Sequence, residues 1–251
     1  VPVLDGRADI RSLSAGGFDV RTMALVASRQ GEATDMTLDA DLGEGTLSAE
    51  GRLERAEDGF AATLSRFRLA GRGSEAVLES PARVSVGPEA IEVADARLRV
   101  GTGTITLGGT LGENFDFEAT IDQLPLSLAN LVKPDLGVDG VVSGAIDLEG
   151  TRDEPSVRGR VQASGVTASM LSQRGIRPIS LTASGSYQNG AGSLDQLSAD
   201  LAGGTLTASG SLGETLDINA QLSGLPLALG NAFVPDLALA GTVSGNAEIT
   251  G

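Results

Sequence analysis

From Gly204 to Leu212 the chain runs GTLTASGSL, with Leu206, Ala208, Gly210 and Leu212 on one parity and Thr205, Thr207, Ser209 and Ser211 on the other. Side chains of an extended strand alternate between its faces, so this pattern predicts a strand with one apolar and one polar side. The string recurs as GTITLGGTL from Gly103 to Leu111 and as GTLSAEGRL from Gly45 to Leu53. In the three copies all 15 positions of the first parity are apolar or Gly, and 11 of the 12 positions of the second are Ser, Thr, Glu or Arg. A helix would scatter those residues around its circumference. Phe115, Phe117, Ala119 and Ile121 continue the alternation, as do Leu216, Ile218, Ala220 and Leu222. So do Val142, Gly144, Ile146 and Leu148, then Val157, Gly159, Val161 and Ala163, then Ile179, Leu181, Ala183 and Gly185. Short turns such as Leu111-Gly-Glu-Asn and Gln188-Asn-Gly-Ala separate the runs, which suits antiparallel hairpins. The expectation is an all-β chain of about 14 to 18 strands of six to ten residues, with very little helix.

The chain also repeats itself. Residues 103–150 align with 204–251 without a gap, and 22 of the 48 positions are identical. A shorter match joins Phe60–Leu69 to Phe117–Leu126, so a weaker copy of the unit lies around residues 45–69. Such self-similarity marks a repeat architecture. Each long copy contains a Pro-bounded connection, LPLSLANLVKPDL and LPLALGNAFVPDL, with Asn130 matching Asn231. These predict one short helical turn per repeat, at Ser127–Val132 and Ala228–Phe233, covering a sheet edge; an irregular loop is the alternative. Gly251 falls where Gly150 falls, at a joint between repeats, and neither end carries a polar capping unit. Residues 1–251 are therefore expected to be one continuous repeating segment of a longer protein.

An alternating strand raises the question of what covers its apolar side. A closed sandwich or small barrel would bury it against another sheet. Against that stand the long strands, the absence of a separate helical layer, and an inward lining that is small or aliphatic rather than aromatic. Gly recurs on the inward parity at Gly51, Gly109, Gly144, Gly159, Gly185, Gly210 and Gly245, which allows strong curvature or leaves room for a guest. The fold expected is a long, curved, mainly antiparallel repeating sheet with an apolar concave interior. The residues expected to line it are Leu47, Leu53, Ile105, Leu107, Leu111, Phe115, Phe117, Ile121, Val142, Ile146, Leu148, Val157, Val161, Ile179, Leu181, Leu206, Leu212, Leu216, Ile218, Leu222, Val243 and Ile249. So much exposed apolar surface must hold something apolar. At about 0.8 kcal/mol per methylene, a sixteen-carbon acyl chain gains roughly 10 to 13 kcal/mol from cover.

Composition narrows the chemistry. The 251 residues include no His, Cys or Trp, so an imidazole base, ordinary zinc, haem or iron–sulfur ligation, and disulfides are all excluded. The 35 Gly residues are about twice the usual share. A net charge of −15 disfavours any partner with a dense negative surface, so nucleic acid and anionic lipid headgroups are expected to be repelled rather than gathered. No apolar run is long enough to cross a bilayer as a helix. Carboxylate pairs such as Asp39 with Asp41, Asp116 with Glu118, and Asp153 with Glu154 are expected on the outward face or in turns, serving solubility rather than catalysis or calcium binding. The glycine strings at Gly43 and Gly101 precede strands, not helices, so they do not make a phosphate loop. No enzymatic activity, metal or cofactor is expected.

Three stretches carry a family resemblance: DLEGTRDEPSVRGRV from Asp147 to Val161, RGIRPISLTASGSY from Arg174 to Tyr187, and LDQLSADLAGGTLTASGSLG from Leu194 to Gly213. The chain resembles the TamB family, the large component of the translocation and assembly module, whose relatives are the AsmA-like repeating β-groove proteins. The resemblance is firmest over residues 103–251. It implies a β-taco, a U-shaped sheet with a hydrophobic interior, in a protein anchored in the inner membrane and extending through the periplasm. It also implies an outer-membrane TamA-type barrel as partner, and work in outer-membrane biogenesis, autotransporter secretion and lipid transport. On that basis the apolar lining would shield phospholipid acyl chains or unfolded outer-membrane protein strands. The alternative from the residues themselves is a structural β-solenoid or adhesin-type stalk, whose lining would be packed to interior density.

Overall fold

A computed structural model of the chain describes residues 5–15, 18–43, 45–56, 59–71, 74–132, 136–173, 176–213, 215–232 and 239–251. Seventeen strands are named among them, and every named pairing is antiparallel. The chain divides into two compact units: Val1–Leu124 with Leu131–Lys133, and Pro125–Asn130 with Pro134–Gly251.

The first unit is a meander. Strands β1 (Gly6–Ala15), β2 (Phe18–Gln30), β3 (Ala33–Asp41), β4 (Gly45–Ala56) and β5 (Gly59–Gly71) pair in chain order. The next strand position is shared by two short pieces, β6 (Ser74–Leu78) and β7 (Ala82–Val86), both of which pair with β5 and with β8 (Ile91–Val100). Pro81 lies in the gap; a residue without an N–H cannot continue a ladder on both sides. Strands β9 (Gly103–Leu111) and β10 (Asn114–Pro125) complete the meander.

The second unit repeats the design with β11 (Asp139–Thr151), β12 (Pro155–Thr167), β13 (Ile179–Gln188), β14 (Ala191–Leu201), β15 (Gly204–Leu212), β16 (Leu216–Pro226) and β17 (Thr242–Thr250), each paired with the next. The β13–β14 turn is Asn189-Gly190 with φ of 54° and 78°, both positive as a tight hairpin turn of the primed type requires.

Among the described residues helix is confined to short segments. A 3-10 turn at Leu126–Leu128 leads into α1 (Ala129–Val132), and a 3-10 turn spans Leu227–Ala232. Phe233, where the second turn was expected to end, and Pro134, Asp135, Pro235, Asp236 and Leu237 lie outside the described residues. A further short helix, α2 (Ser169–Gln173), sits between β12 and β13, where the alternation pattern predicted none.

Register shifts punctuate both ladders. In the first unit they fall between Glu50 and Gly51 opposite Arg66 and Leu64, and between Val93 and Ala96 of β8. In the second they fall between Asp139 and Val141, Ala163 and Val166, Ser184 and Gly185, Leu194 and Leu197, and Leu222 and Leu225. An extra residue on one strand increases local twist and bends the strand, so these bulges are the bending points of each ladder. They also reset parity, which keeps apolar residues on one side of the bend.

Little of either ladder is buried. Among the described residues the buried apolar ones are Ala27, Ala33, Ala40, Ala61, Ala76, Ala82, Val100 and Ala199, seven of the eight being alanines. Over the described residues the ladders thus rest on backbone pairing and cross-strand contacts more than on deeply buried large side chains.

Candidate functional site

Pairing places the expected lining residues of the first unit on one face. Leu47 and Leu53 of β4 lie opposite Leu69 and Ala62 of β5. Ile105, Leu107 and Leu111 of β9 lie opposite Ile121, Ala119 and Phe115 of β10, while Phe117 faces Gly109. The face continues through residues the alternation did not single out. Met23 and Leu25 meet Ala40 and Leu38, Val84 meets Ala62 and Val93, and Leu98 meets Ile105.

The second unit does the same. Val142, Ile146 and Leu148 lie opposite Ala163, Gly159 and Val157, and Val161 opposite Gly144. Leu181 lies opposite Ala163, and Ile179 opposite Val166 beyond the bulge. Leu206 meets Leu222, Leu212 meets Leu216, and Gly210 meets Ile218. Ile218 in turn meets Ile249, and Leu225 meets Val243. On β11 to β17 no charged residue shares this parity with the apolar ladder.

These side chains are only partly covered. Ile146 is 53% exposed, Ile249 51%, Leu212 48% and Leu107 37%. Phe60 and Ile91, in the outermost row of the first unit's face, are exposed as well. A lining packed to interior density would leave such residues buried. Contiguous apolar area of this kind marks a surface that meets something apolar.

Two glycines on this face show why the ladder tolerates no side chain there. A Cβ on Gly109 would run into the Asp116 carbonyl oxygen and lie 2.7 Å from the Phe117 Cα. A Cβ on Gly210 would run into the Asp217 carbonyl oxygen and lie 2.7 Å from the Ile218 Cα. The two sites are one repeat apart. At both the neighbouring strand's backbone presses in, so these glycines serve close approach of strands. Around Gly245 a Cβ would meet nothing within 4 Å, and there the face has open room.

The opposite face is polar and, in the first unit, laced with cross-strand ion pairs. Arg66 reaches Glu50 at 2.7 Å, Arg68 reaches Glu75 at 2.5 Å and Arg83 reaches Glu54 at 3.0 Å. Arg52 meets Asp35 at 3.3 Å, and Glu79 takes Arg97 at 2.9 Å and Arg99 at 3.5 Å. Within β1, Arg7 holds the Asp9 carboxyl below its ordinary pKa through a side-chain hydrogen bond, and is itself raised by it. All these pairs are solvent-exposed and contribute little stability each. Asp39 and Asp41 belong to this face; Asp41 accepts from the Gly43 N–H at 2.7 Å and so shapes the β3–β4 turn. In the second unit a hollow of about 790 Å³ opens on the polar face, lined by Ser198, Thr207, Ser209, Asn219, Gln221 and Asn246 among others.

Among the described residues no three acidic side chains are grouped to hold a metal ion, and no helix is long and apolar enough to cross a membrane. Comparison with protein-family profiles, with curated proteins and with solved structures finds no match for this chain.

Proposed function

We propose that this chain is a segment of a TamB-like protein of the periplasm, in which the apolar side of the sheet is a groove that shields acyl chains of phospholipids in transit between membranes. The observation that carries the proposal is, in each unit by itself, a partly exposed apolar face free of carboxylates over the described side chains, on β2 to β10 in the first and on β11 to β17 in the second. Backbone polar groups are satisfied by strand pairing, so a hydrocarbon chain lying on the face leaves no polar group stranded. The lining is aliphatic and repetitive, which gives no single strongly preferred stop along it. Amphipathic strands of unfolded outer-membrane proteins present the same chemistry and are the second cargo of this groove. In the full-length protein the work would serve outer-membrane biogenesis and autotransporter secretion, with an inner-membrane anchor and an outer-membrane TamA-type barrel at the two ends. The chemistry is passive, with no catalytic residue and no cofactor. A structural stalk accounts for the repeats equally well but not for the exposure of Ile146, Leu212 and Ile249.

The test is solvent extraction of the chain purified from cells, followed by mass spectrometry. Phospholipid recovered in proportion to protein is the expected result. A lipid-free preparation that also fails to take up phospholipid from vesicles would end the proposal.

A further inference from the structure

The charges of the first unit are sorted by face. Arg7, Arg52, Arg66, Arg68, Arg83, Arg97 and Arg99, all on the polar face, are each paired with a carboxylate. Arg21, Arg29 and Arg55 are the exceptions in placement; Arg21 shares the parity of Met23 and Leu25 but stands at the opposite end of the face, beside Gly43. Arg29 lies opposite Thr34, which lies opposite Leu53, and Arg55 lies opposite Phe60. Both therefore share the parity of the apolar face, and both stand at the same end of it, at the ends of β2 and β4. Both are exposed, and neither has a carboxylate partner among the described residues. Arg29 is oriented by its Nε, which donates to the Gly31 carbonyl at 3.0 Å. Glu32, in the β2–β3 turn, forms no ion pair with either arginine. No described carboxylate side chain shares the apolar face of β2 to β10.

The row that Arg55 begins continues through Phe60, Val86, Ile91 and Leu111 to Phe115. A cation followed by exposed aromatic and aliphatic side chains is an amphipathic border, polar outward and apolar inward. In a chain of net charge −15, two arginines at one border of an apolar face that bears no described carboxylate, neither paired with a carboxylate among the described residues, are complementary to one chemistry, an anionic head on hydrocarbon chains.

We infer that Arg29 and Arg55 form a headgroup station for a phospholipid, binding its phosphate at the rim while its acyl chains lie along Leu53, Gly51 and Ala49. The inference rests on the groove proposed above and adds the class of head that the rim selects. The dimensions agree. At about 3.4 Å per residue, the ten residues from Arg55 back to Gly45 span about 34 Å. One leaflet's hydrocarbon needs about 15 Å, so chains held at Arg55 end well inside the apolar face.

The test compares dioctanoyl phosphatidic acid with dioctanoylglycerol, which share their chains and differ by the phosphate, by titration calorimetry on the purified chain. Inorganic phosphate is titrated in parallel. The intact protein is expected to prefer phosphatidic acid by at least about tenfold. Arg29→Gln with Arg55→Gln should bring that ratio near unity while leaving dioctanoylglycerol binding in place. Arg29→Lys with Arg55→Lys should keep most of it, and Arg11→Gln, the same charge change on the polar face, should leave it unchanged. Equal binding of the two lipids by the intact protein, or a preference that survives the double Gln variant, overturns the station and leaves the groove standing. Inorganic phosphate binding as tightly as phosphatidic acid also overturns it, since the arginines would then be an anion site without a lipid. Failure of both lipids to bind overturns the groove and the station together.

Discussion

The side-chain amide of Asn130 pairs with the backbone of Val138 in both directions, donating to its carbonyl at 2.8 Å and accepting from its N–H at 2.9 Å. One repeat later Asn231 does the same with Leu239, at 2.9 Å and 2.8 Å. A carboxamide carries a donor and an acceptor side by side, and so imitates the neighbouring strand that a residue ahead of β11 or β17 would otherwise need. Each Asn thus ties the helical turn to the chain eight residues on.

Replacing Asn130 with Ala leaves a half-buried N–H and carbonyl on Val138 without partners. The expected cost is about 1–3 kcal/mol, read as a lower urea midpoint. Asn130→Asp keeps the acceptor and loses the donor, so its midpoint should fall between the two. An unchanged midpoint for Asn130→Ala would mean that the turn is not held by this clamp.

Gly109 and Gly210 should be far less replaceable than Gly245. Adding a side chain at the first two forces strands apart, with an expected loss of about 1–3 kcal/mol for Gly210→Val. Gly245→Ala meets open space at a backbone angle Ala accepts, and should raise stability by about 0.4–1 kcal/mol through the unfolded state. If both variants unfold at the same denaturant concentration, close strand approach is not what fixes Gly210.

Charge placed on the apolar face should separate folding from binding. Leu212 and Ile249 are about half exposed, so Leu212→Asp and Ile249→Asp should leave the far-ultraviolet dichroism of a β-sheet intact. Uptake of phospholipid from vesicles should drop sharply, because a carboxylate beside an acyl chain must be desolvated. Unfolding of these variants would point to a packed lining instead.

Asp9 offers a pH test. Its carboxyl is held below the ordinary carboxylate value, first by the hydrogen bond from Arg7. A lowered folded-state pKa gives stability that is present above the unfolded value and lost as pH falls through the folded one. With both groups exposed the stability effect is small, so the measurement is the Asp9 side-chain titration by NMR. It should move back toward the ordinary value in Arg7→Gln and stay put in Arg52→Gln.

What could be read from the sequence followed the bulges. Strands β9 and β15 have no register break within them against their next strand, so their alternation runs unbroken and their faces were plain. Strand β5 reads FAATLSRFRLAG, with Phe60, Ala62 and Leu64 on one side; the shift at Ser65 then hands that side to Phe67 and Leu69. Strand β8 changes hands in the same way between Val93 and Ala96. A bulge reverses parity without changing composition, which is why the apolar face of the first unit was only partly legible. Asn130 and Asn231 stood out as a repeated pair, but their partners Val138 and Leu239 contribute backbone atoms, which leave no mark in a sequence. Arg29 and Arg55 went unnoticed because their face is defined only once β2 to β5 are paired. Helix α2 has neither an acidic first turn nor a basic last turn to announce it.

The central claim is that one face of this sheet carries hydrocarbon and the other does not. A photo-crosslinking residue placed in living cells at Leu206, and separately at its neighbour Thr207, tests this directly, because adjacent residues of β15 point to opposite faces. Mass spectrometry of the products should find phospholipid, or an amphipathic strand, attached through Leu206 and not through Thr207. Equal lipid adducts at both positions, or adducts at Thr207 alone, would contradict the account.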